Sequence, residues 1–229
     1  MKTIGLLGGM SWESTELYYR VLNQGVKARL GGLHSASLVL VSVDFHDVER
    51  LQVAGRWREA GELLAAAAAR VEAAGAEILL LCTNTMHRVA DAVAAQISIP
   101  LLHLADATAD RVEAAGLRRV GLLGTRFTME QAFYRDRLAA RGLEVMVPEA
   151  ADRELIHRVI YDELCLGKVR RESRQAYLEV IARLARGGAE GIIAGCTEIT
   201  LLVSPDDLSL PLFDTARLHA EAALDWALA

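Results

Sequence analysis

An internal repeat restricts the possible folds of this chain more than any other feature. Four short segments recur further along the chain in the same order, at an offset that drifts only from 116 to 111 positions. The matched pairs are 4–8 with 120–124, 75–77 with 188–190, 82–84 with 195–197, and 99–102 with 210–213. A period this long exceeds that of a solenoid repeat. The sequence therefore indicates two similar halves.

Both halves alternate short β-rich segments with long Ala-rich helical segments. The strands are almost continuously apolar, as parallel strands covered on both faces are, and the helices carry apolar residues at helical spacing. Predicted strands are 3–7, 37–43, 78–82, 120–123, 143–147 and 191–194; predicted helices are 12–29, 57–74, 87–95, 106–115, 129–140, 152–164, 171–186 and 215–228. This order predicts two pseudo-symmetric α/β domains, each a parallel sheet flanked by helices, with the active site in the cleft between them.

Composition excludes several classes of protein. The 25 basic and 30 acidic residues give a net charge of −5, which disfavours a nucleic-acid binder. Three cysteines are too few for a disulfide framework, so a reduced, cytoplasmic location is expected. The apolar runs are too short for a membrane span, and no signal peptide is expected.

The repeat places Thr83 and Cys196 at equivalent positions after a strand in the two halves. Ligands of open α/β sheets bind beyond the carboxyl ends of strands. If the halves face each other, these side chains flank one cleft, where a substrate carbon can lose a proton to one and gain a proton from the other. A free cysteine is often a small buried hydrophobe. Because Cys196 precedes polar residues at a predicted helix start, a stabilised thiolate is the alternative.

The post-strand motifs resemble those of a known family. They are Gly-Gly-Met-Ser at 8–11, Thr-Asn-Thr-Met-His at 83–87, Gly-Cys-Thr-Glu at 195–198, and Phe-Asp-Thr at 213–215 leading to His219. With them, essentially the whole chain resembles the aspartate/glutamate racemases that work without pyridoxal phosphate. The first family motif is Cys-Asn-Thr followed two residues later by His. Asn84, Thr85 and His87 match it, but Thr83 replaces the cysteine; Cys82 lies one residue early and is expected to point to the other face of the strand.

The resemblance implies an asymmetric pair of catalytic residues, in which Cys196 matches the second catalytic cysteine. A cysteine thiol has a pKa of about 8.5, whereas a threonine hydroxyl has no comparable access to its anion. The chain looks like the Thr/Cys subgroup of the family, which favours L-aspartate and L-glutamate. We therefore expect Cys196 to remove the Cα proton of the L enantiomer and Thr83 to return a proton to the opposite face.

Further residues are candidates for holding the substrate carboxylate. Removal of the Cα proton builds negative charge on the α-carboxylate, which preorganised donors should surround. Asn84 and Thr85 in one half, and Thr197 and Glu198 in the other, begin predicted helices whose amides can bind a carboxylate.

Three other loops contribute candidates. Thr125 is the best match to a family threonine that contacts substrate, and Thr128 is interpreted as a helix N-cap. Met10 is expected to line the cleft in the first loop. Asp214 and Thr215 are interpreted as a cap of the last helix.

Recognition of the substrate side chain departs from the family pattern. Many members carry a lysine at the position of Cys165 and an arginine in the loop that corresponds to 44–52. In that loop His46, Arg50 and Gln52 are candidates, and Gln52 is favoured as a neutral contact. Loss of the basic residues relaxes the demand for a distal carboxylate and leaves room for broader amino-acid specificity. Cys165 is alternatively a core residue.

No cofactor or metal is expected. Residues 5–9 lack the Gly-x-Gly-x-x-Gly spacing of a dinucleotide site, and neither His-Glu-x-x-His nor Cys-x-x-Cys occurs. His87 is a candidate for orienting the Thr83 loop, while His103 and His219 are interpreted as structural.

By the resemblance, the last strand and helix return to the first domain, so that 1–98 and 210–229 form one domain and 99–209 the other. It also implies a homodimer with a small-molecule amino-acid substrate. Two alternatives remain open. One is a decarboxylase of the same fold, which keeps only the second cysteine, and the other is a non-catalytic amino-acid sensor.

Overall fold

The computed structural model describes all 229 residues and divides into two compact units. Unit 1 comprises Met1–Leu104 and Ala216–Ala229, and unit 2 comprises Ala105–Thr215. Both boundaries lie six residues later than the ones expected from the sequence. The short strands before each boundary cause this difference, because each stays with the sheet that precedes it.

The elements follow one another in an alternating βα order. They are β1 (Ile4–Gly8), α1 (Trp12–Leu30), β2 (Leu38–Ser42), α2 (Phe45–Val53), α3 (Trp57–Ala73), β3 (Ile78–Leu81), a 3₁₀ turn (Thr85–Val89), α4 (Ala90–Ala94), β4 (Leu101–Leu102), α5 (Leu104–Ala114), β5 (Arg119–Gly124), α6 (Arg126–Glu130), α7 (Ala132–Ala139), β6 (Glu144–Met146), α8 (Ala150–Asp162), a 3₁₀ turn (Leu164–Leu166), α9 (Arg171–Arg186), β7 (Gly191–Gly195), α10 (Ile199–Leu202), a 3₁₀ turn (Pro205–Asp207), β8 (Leu212–Asp214) and α11 (Thr215–Leu228).

Each unit contains one four-stranded parallel sheet, and the two sheets have the same topology. Their strand orders are β2-β1-β3-β4 and β6-β5-β7-β8. The registers also correspond, since Ile4 pairs with Ile78 and Val120 pairs with Gly191. The predicted α/β fold with two parallel sheets is confirmed.

The Gly-Ala-Glu segments that recur in the sequence have the same structural role in both units. Glu77 Oε2 accepts a hydrogen bond of 2.7 Å from the amide of Thr3. Glu190 Oε2 accepts two hydrogen bonds, each of 2.9 Å, from the amides of Arg118 and Arg119. The repeated glutamates therefore satisfy backbone donors at the start of each first strand, where the sheet ladder leaves them without strand partners.

The two faces of the unit 1 sheet bury different helices. Leu79 and Leu81 pack in an apolar cluster that includes residues of α3. Leu80 and Cys82 point to the other face and pack with residues of α1 and α11, as the alternation of side chains along a strand requires. The last helix therefore covers unit 1, and the Cys82 thiol lies in its core.

Several local expectations need correction. The segment 44–52, predicted as a loop, is helical instead: α2 begins at Phe45 behind the N-cap Asp44, whose carboxylate accepts from the His46 amide. Val48 and Gln52 are buried along this helix, and Phe45 and Leu51 pack partly buried on the same cluster as Val48. The apolar positions 45, 48 and 51 therefore have helical spacing, a signal that the loop prediction did not use. The predicted helix 129–140 is broken at Gln131, whose backbone is extended. The last strand, β8, pairs with β7 in unit 2 instead of returning to unit 1; only α11 returns.

Replacing Gly5 by alanine is expected to lower the free energy of unfolding by about 1–3 kcal/mol through overpacking. A Cβ on Gly5 would meet Val71 Cγ1 and would lie 2.9 Å from the Ile78 carbonyl oxygen, which is backbone and does not yield easily. Urea unfolding followed by circular dichroism measures the change. Gly61→Ala is the control, because its Cβ lies 3.3 Å from Ala92 Cβ in a helix that favours alanine. Equal losses in both variants would contradict the packing argument.

No helix combines the length and the apolar character needed to cross a membrane.

Candidate active site

Thr83 and Cys196 follow the equivalent strands β3 and β7 in their own units. Thr83 is the second residue after Leu81, where β3 ends, and Cys196 follows directly on Gly195, where β7 ends. Each lies at the carboxyl edge of a parallel sheet, which is the edge where α/β proteins bind ligands.

The backbone of Thr83 is held on both sides. Its amide donates to the carbonyl oxygen of Leu81 at 2.8 Å, and its carbonyl oxygen accepts from His87 Nδ1 at 2.8 Å. The residue is 9% exposed. Thr83 is therefore almost buried in a loop of defined conformation.

The residues after Thr83 do not begin a long helix. Asn84 and Thr85 are buried and lead into the 3₁₀ turn Thr85–Val89, which passes into the five-residue α4. The segment after Thr83 therefore does not provide the helix N-terminus that the sequence predicts, because a 3₁₀ turn aligns few peptide dipoles.

Cys196 forms a close pair with Glu198. The thiol donates to Glu198 Oε2 at 2.9 Å, and Glu198 is only 7% exposed. Burial raises the pKa of the Cys196 thiol well above its usual value, and the Glu198 carboxylate and Cys165 raise this pKa further. The following helix, α10, has four residues. Burial and the neighbouring carboxylate thus favour the protonated form of Cys196, and the four-residue α10 offers little dipole to stabilise a thiolate.

The link between Cys196 and Glu198 was missed by reasoning from the sequence, which made Glu198 a contact for substrate. Both residues are visible in the Gly-Cys-Thr-Glu motif. The signal that could have found the pair is the spacing of two residues in a tight turn, which brings a carboxylate back to the thiol.

The second unit places its other candidates near this pair or at a helix cap. Cys165 lies in the 3₁₀ turn Leu164–Leu166 and is partly buried against the core that Cys196 also packs on. Thr125 is the N-cap of α6 and its hydroxyl accepts from the Thr128 amide at 3.3 Å. The prediction of Thr128 as the cap is wrong, because Thr128 is the donor.

Gln52 is a buried polar side chain on α2, only 3% exposed. Its Nε2 donates to the thioether sulfur of Met86 at 2.8 Å, and its Oε1 has no hydrogen-bond partner in the protein. Met10 is buried in the same apolar cluster as Met86. His46 and Arg50, the other candidates on this segment, are exposed. Among the three, Gln52 alone carries an unused acceptor inside the protein.

Three histidines pack together inside unit 1. The rings of His87 and His103 are 4.5 Å apart, and those of His87 and His219 are 5.6 Å apart. His219 Nε2 donates to the Leu102 carbonyl oxygen at 2.9 Å, which leaves Nδ1 to accept from the Tyr18 hydroxyl at 2.8 Å. No group of three or more His, Cys, Asp or Glu side chains is arranged to hold a metal ion.

His219 is expected to make the protein less stable in acid. Burial, assisted by the neighbouring His87, lowers the pKa of His219 from 6.5 to about 3. Between these pH values the unfolded state binds the extra proton, so the free energy of unfolding falls as the pH drops. One proton corresponds to about 1.4 kcal/mol per pH unit. Urea unfolding at successive pH values measures the slope. His219→Gln keeps a donor towards Leu102 without titrating, so a slope as steep in this variant would contradict the assignment.

Thr215, at the start of the last helix, has a second role besides the cap predicted at Asp214 and Thr215. Its hydroxyl donates to the carbonyl oxygen of Ala194 at 2.9 Å. This bond ties Thr215 to the end of β7 within unit 2.

The two parallel α/β units with equivalent post-strand loops are the fold that solved Asp/Glu racemase structures share with this chain. The chain belongs to the Asp/Glu/Hydantoin racemase family, whose sequence model matches residues 7–223.

Solved structures and a curated relative agree with this membership. A crystal structure from Yersinia pestis, of a protein assigned to the Asp/Glu racemases, is 56% identical, with a TM-score of 0.95 and complete coverage of both chains. An aspartate racemase homologue from Pyrococcus horikoshii OT3 is 32% identical, with a TM-score of 0.88 and complete coverage of both. The broad specificity amino-acid racemase RacX of Bacillus subtilis is 23% identical over 165 residues, which are 71% of this chain and 70% of RacX.

Proposed function

We propose that this protein is an amino-acid racemase that inverts the Cα centre by proton transfer between Cys196 and Thr83, without pyridoxal phosphate. The observation that carries the proposal is the equivalence of these two residues, each of which follows the same strand of a repeated sheet. Family membership supports the reaction class. Inversion requires an acid and a base that reach opposite faces of one carbon.

Cys196 is proposed as the base for the L enantiomer, with Glu198 as the acceptor of its proton. In the resting protein the thiol already donates to Glu198 Oε2. Transfer of this proton gives a thiolate and a neutral carboxyl group. The thiolate then takes the Cα proton and becomes a thiol again, and Glu198 returns its proton to solvent.

Thr83 is proposed to complete the inversion. Its hydroxyl donates a proton to the opposite face of Cα while its oxygen accepts one from solvent water, so that no alkoxide accumulates. Because a hydroxyl is a poor base, removal of the Cα proton from the D enantiomer is the difficult step.

Amides and hydroxyls near the two reactive residues are proposed to hold the α-carboxylate. Asn84 and Thr85 follow Thr83, and Thr197 follows Cys196. Donors at these positions would stabilise the negative charge that builds up on the carboxylate as the Cα proton leaves. Thr125 is proposed to contact substrate in addition to capping α6.

The substrate range is proposed to include neutral amino acids besides L-aspartate and L-glutamate. Gln52 offers an uncharged amide with an unused buried oxygen, and Cys165 stands where many family members carry a lysine. Neither can form an ion pair with a distal carboxylate. Met10, buried in the same cluster as Met86, is proposed to contribute an apolar wall.

A panel of L- and D-amino acids in heavy water, followed by proton NMR and chiral chromatography, tests the function. Loss of the Cα proton signal together with formation of the opposite enantiomer is the expected result. Release of CO2 from an α-substituted malonate would favour a decarboxylase. Binding of an amino acid without any Cα exchange would favour a sensor.

Replacing Glu198 by glutamine is expected to lower both the pKa of Cys196 and kcat. The glutamine removes a negative charge that raises the pKa of the thiol, so the thiolate should titrate at lower pH. It also removes the proton acceptor, so kcat should fall by about 10²-fold. Thiolate absorbance against pH and kcat at neutral pH give the two readings.

Glu198→Asp is the matched control for this test, because it keeps the negative charge but moves the carboxylate away from the thiol. It should keep the thiol pKa high. An unchanged kcat in Glu198→Gln would show that Glu198 does not accept the proton.

The resemblance extends the proposal to a homodimer located in the cytoplasm. Sedimentation equilibrium of the full chain measures the oligomeric state, and a monomer at micromolar concentration would contradict the dimer.

A further inference from the structure

We propose that His87 is a positioning residue that fixes Thr83 for its proton transfer. This inference rests on the proposed function, since it gives His87 a role only in the half-reaction that Thr83 carries. The observation that supports it is the hydrogen bond from the His87 ring to the Thr83 backbone inside unit 1.

The Thr83 backbone has its two polar groups bonded to different elements. The amide is held by Leu81 at the end of β3, and the carbonyl oxygen is held by the His87 ring, four residues further along the chain. Because a peptide unit is planar, these bonds fix the plane on each side of the Thr83 Cα. The direction of its Cα–Cβ bond is then fixed as well. The position of Cβ, which carries the hydroxyl group, is fixed with it.

The partners of His87 also determine which ring nitrogen carries the proton. The amide of Leu104 donates to His87 Nε2 at 3.2 Å, so Nε2 is the unprotonated nitrogen. A neutral ring then carries its hydrogen on Nδ1 and donates it to the Thr83 carbonyl oxygen. If Nε2 carried a proton, its N–H group would face the backbone N–H group of Leu104.

His87 therefore joins the loop after β3 to the chain after β4, where Leu104 begins α5. Its ring is 3% exposed and is packed beside His103 and His219. A buried ring clamped between two backbone groups can hold a loop more firmly than side-chain packing alone, because its hydrogen bonds are directional.

Two substitutions separate the two bonds of the ring. His87→Asn keeps an N–H near the position of Nδ1 and loses the acceptor for Leu104. His87→Gln places its amide near the position of Nε2, keeps an acceptor for Leu104 and loses the donor to Thr83. His219→Gln is the matched control, since His219 is buried in the same cluster but bonds Tyr18 and Leu102.

For each variant, the quantity to measure is the rate of net inversion divided by the rate of Cα exchange of the L substrate in heavy water. Misplacement of a reacting group by about 1 Å costs on the order of 10²-fold in rate. In His87→Gln we expect inversion to fall by about 10–100-fold while Cys196-dependent exchange changes little. His87→Asn should recover most of the inversion, and His219→Gln should leave the ratio as in the wild type.

A parallel fall of inversion and exchange in His87→Gln, or equal losses in the Asn and Gln variants, would overturn the inference. If a variant does not fold, nitrogen-15 NMR of the wild-type imidazoles decides, because a charged His87 or an Nε2-protonated tautomer at neutral pH would overturn it. Failure of the proposed function gives a different result, because the wild-type protein itself would then show no Cα exchange.

Discussion

Cys196→Ser is expected to abolish racemisation and Cα exchange together, each by about 10²–10⁴-fold, the range that a general base contributes. Serine preserves the shape of the side chain and a hydroxyl that can still donate to Glu198. It removes the thiolate, and no other side chain is proposed to take the proton from the L face. Exchange of L substrate in heavy water and chiral chromatography measure the two losses.

The chain supplies a matched control for this substitution. Cys82 is fully buried in the unit 1 core, where burial raises its pKa. Cys82→Ser should retain Cα exchange. If Cys196→Ser exchanges the L substrate as fast as the wild type, Cys196 is not the base.

Thr83→Ala is expected to uncouple exchange from inversion. Net inversion should fall by about 10²-fold or more because the donor on the opposite face is lost, whereas Cys196 should still exchange the Cα proton of the L substrate. The same heavy-water experiment provides both rates from one sample.

The loss must be the same in both directions. Enantiomers have equal free energy, so kcat/KM for L to D equals kcat/KM for D to L in every variant. Thr83→Ser keeps the hydroxyl and is the control. Unchanged inversion in Thr83→Ala would show that water or another group protonates the opposite face.

Much of the fold could be predicted because the repeat and the apolar strands are strong local signals. The helices Arg171–Arg186 and Thr215–Leu228 were predicted with the observed bounds, since each has a clear amphipathic or apolar pattern. The strand β4 has two residues and β8 has three. Such short strands exist only through their parallel partners, so local sequence does not define them.

The sequence proposes residues for the candidate site but not their protonation. The repeat alone puts Thr83 and Cys196 at equivalent positions. The raised pKa of Cys196 depends on burial and on the Glu198 carboxylate, neither of which the sequence shows. Similarly, the sequence offers Gln52 only as a neutral residue in a predicted loop, whereas the structure buries it on α2, where its amide donates to the Met86 sulfur.

The most direct test of the account compares Cα exchange of the two enantiomers by the wild-type protein in heavy water, at early times and before the pools mix. With Cys196 as the only strong base, the L substrate should exchange readily, faster than the D enantiomer forms, and the D substrate should exchange hardly at all. Equal initial exchange from both enantiomers would contradict the account, because it would require a base of comparable strength on each face.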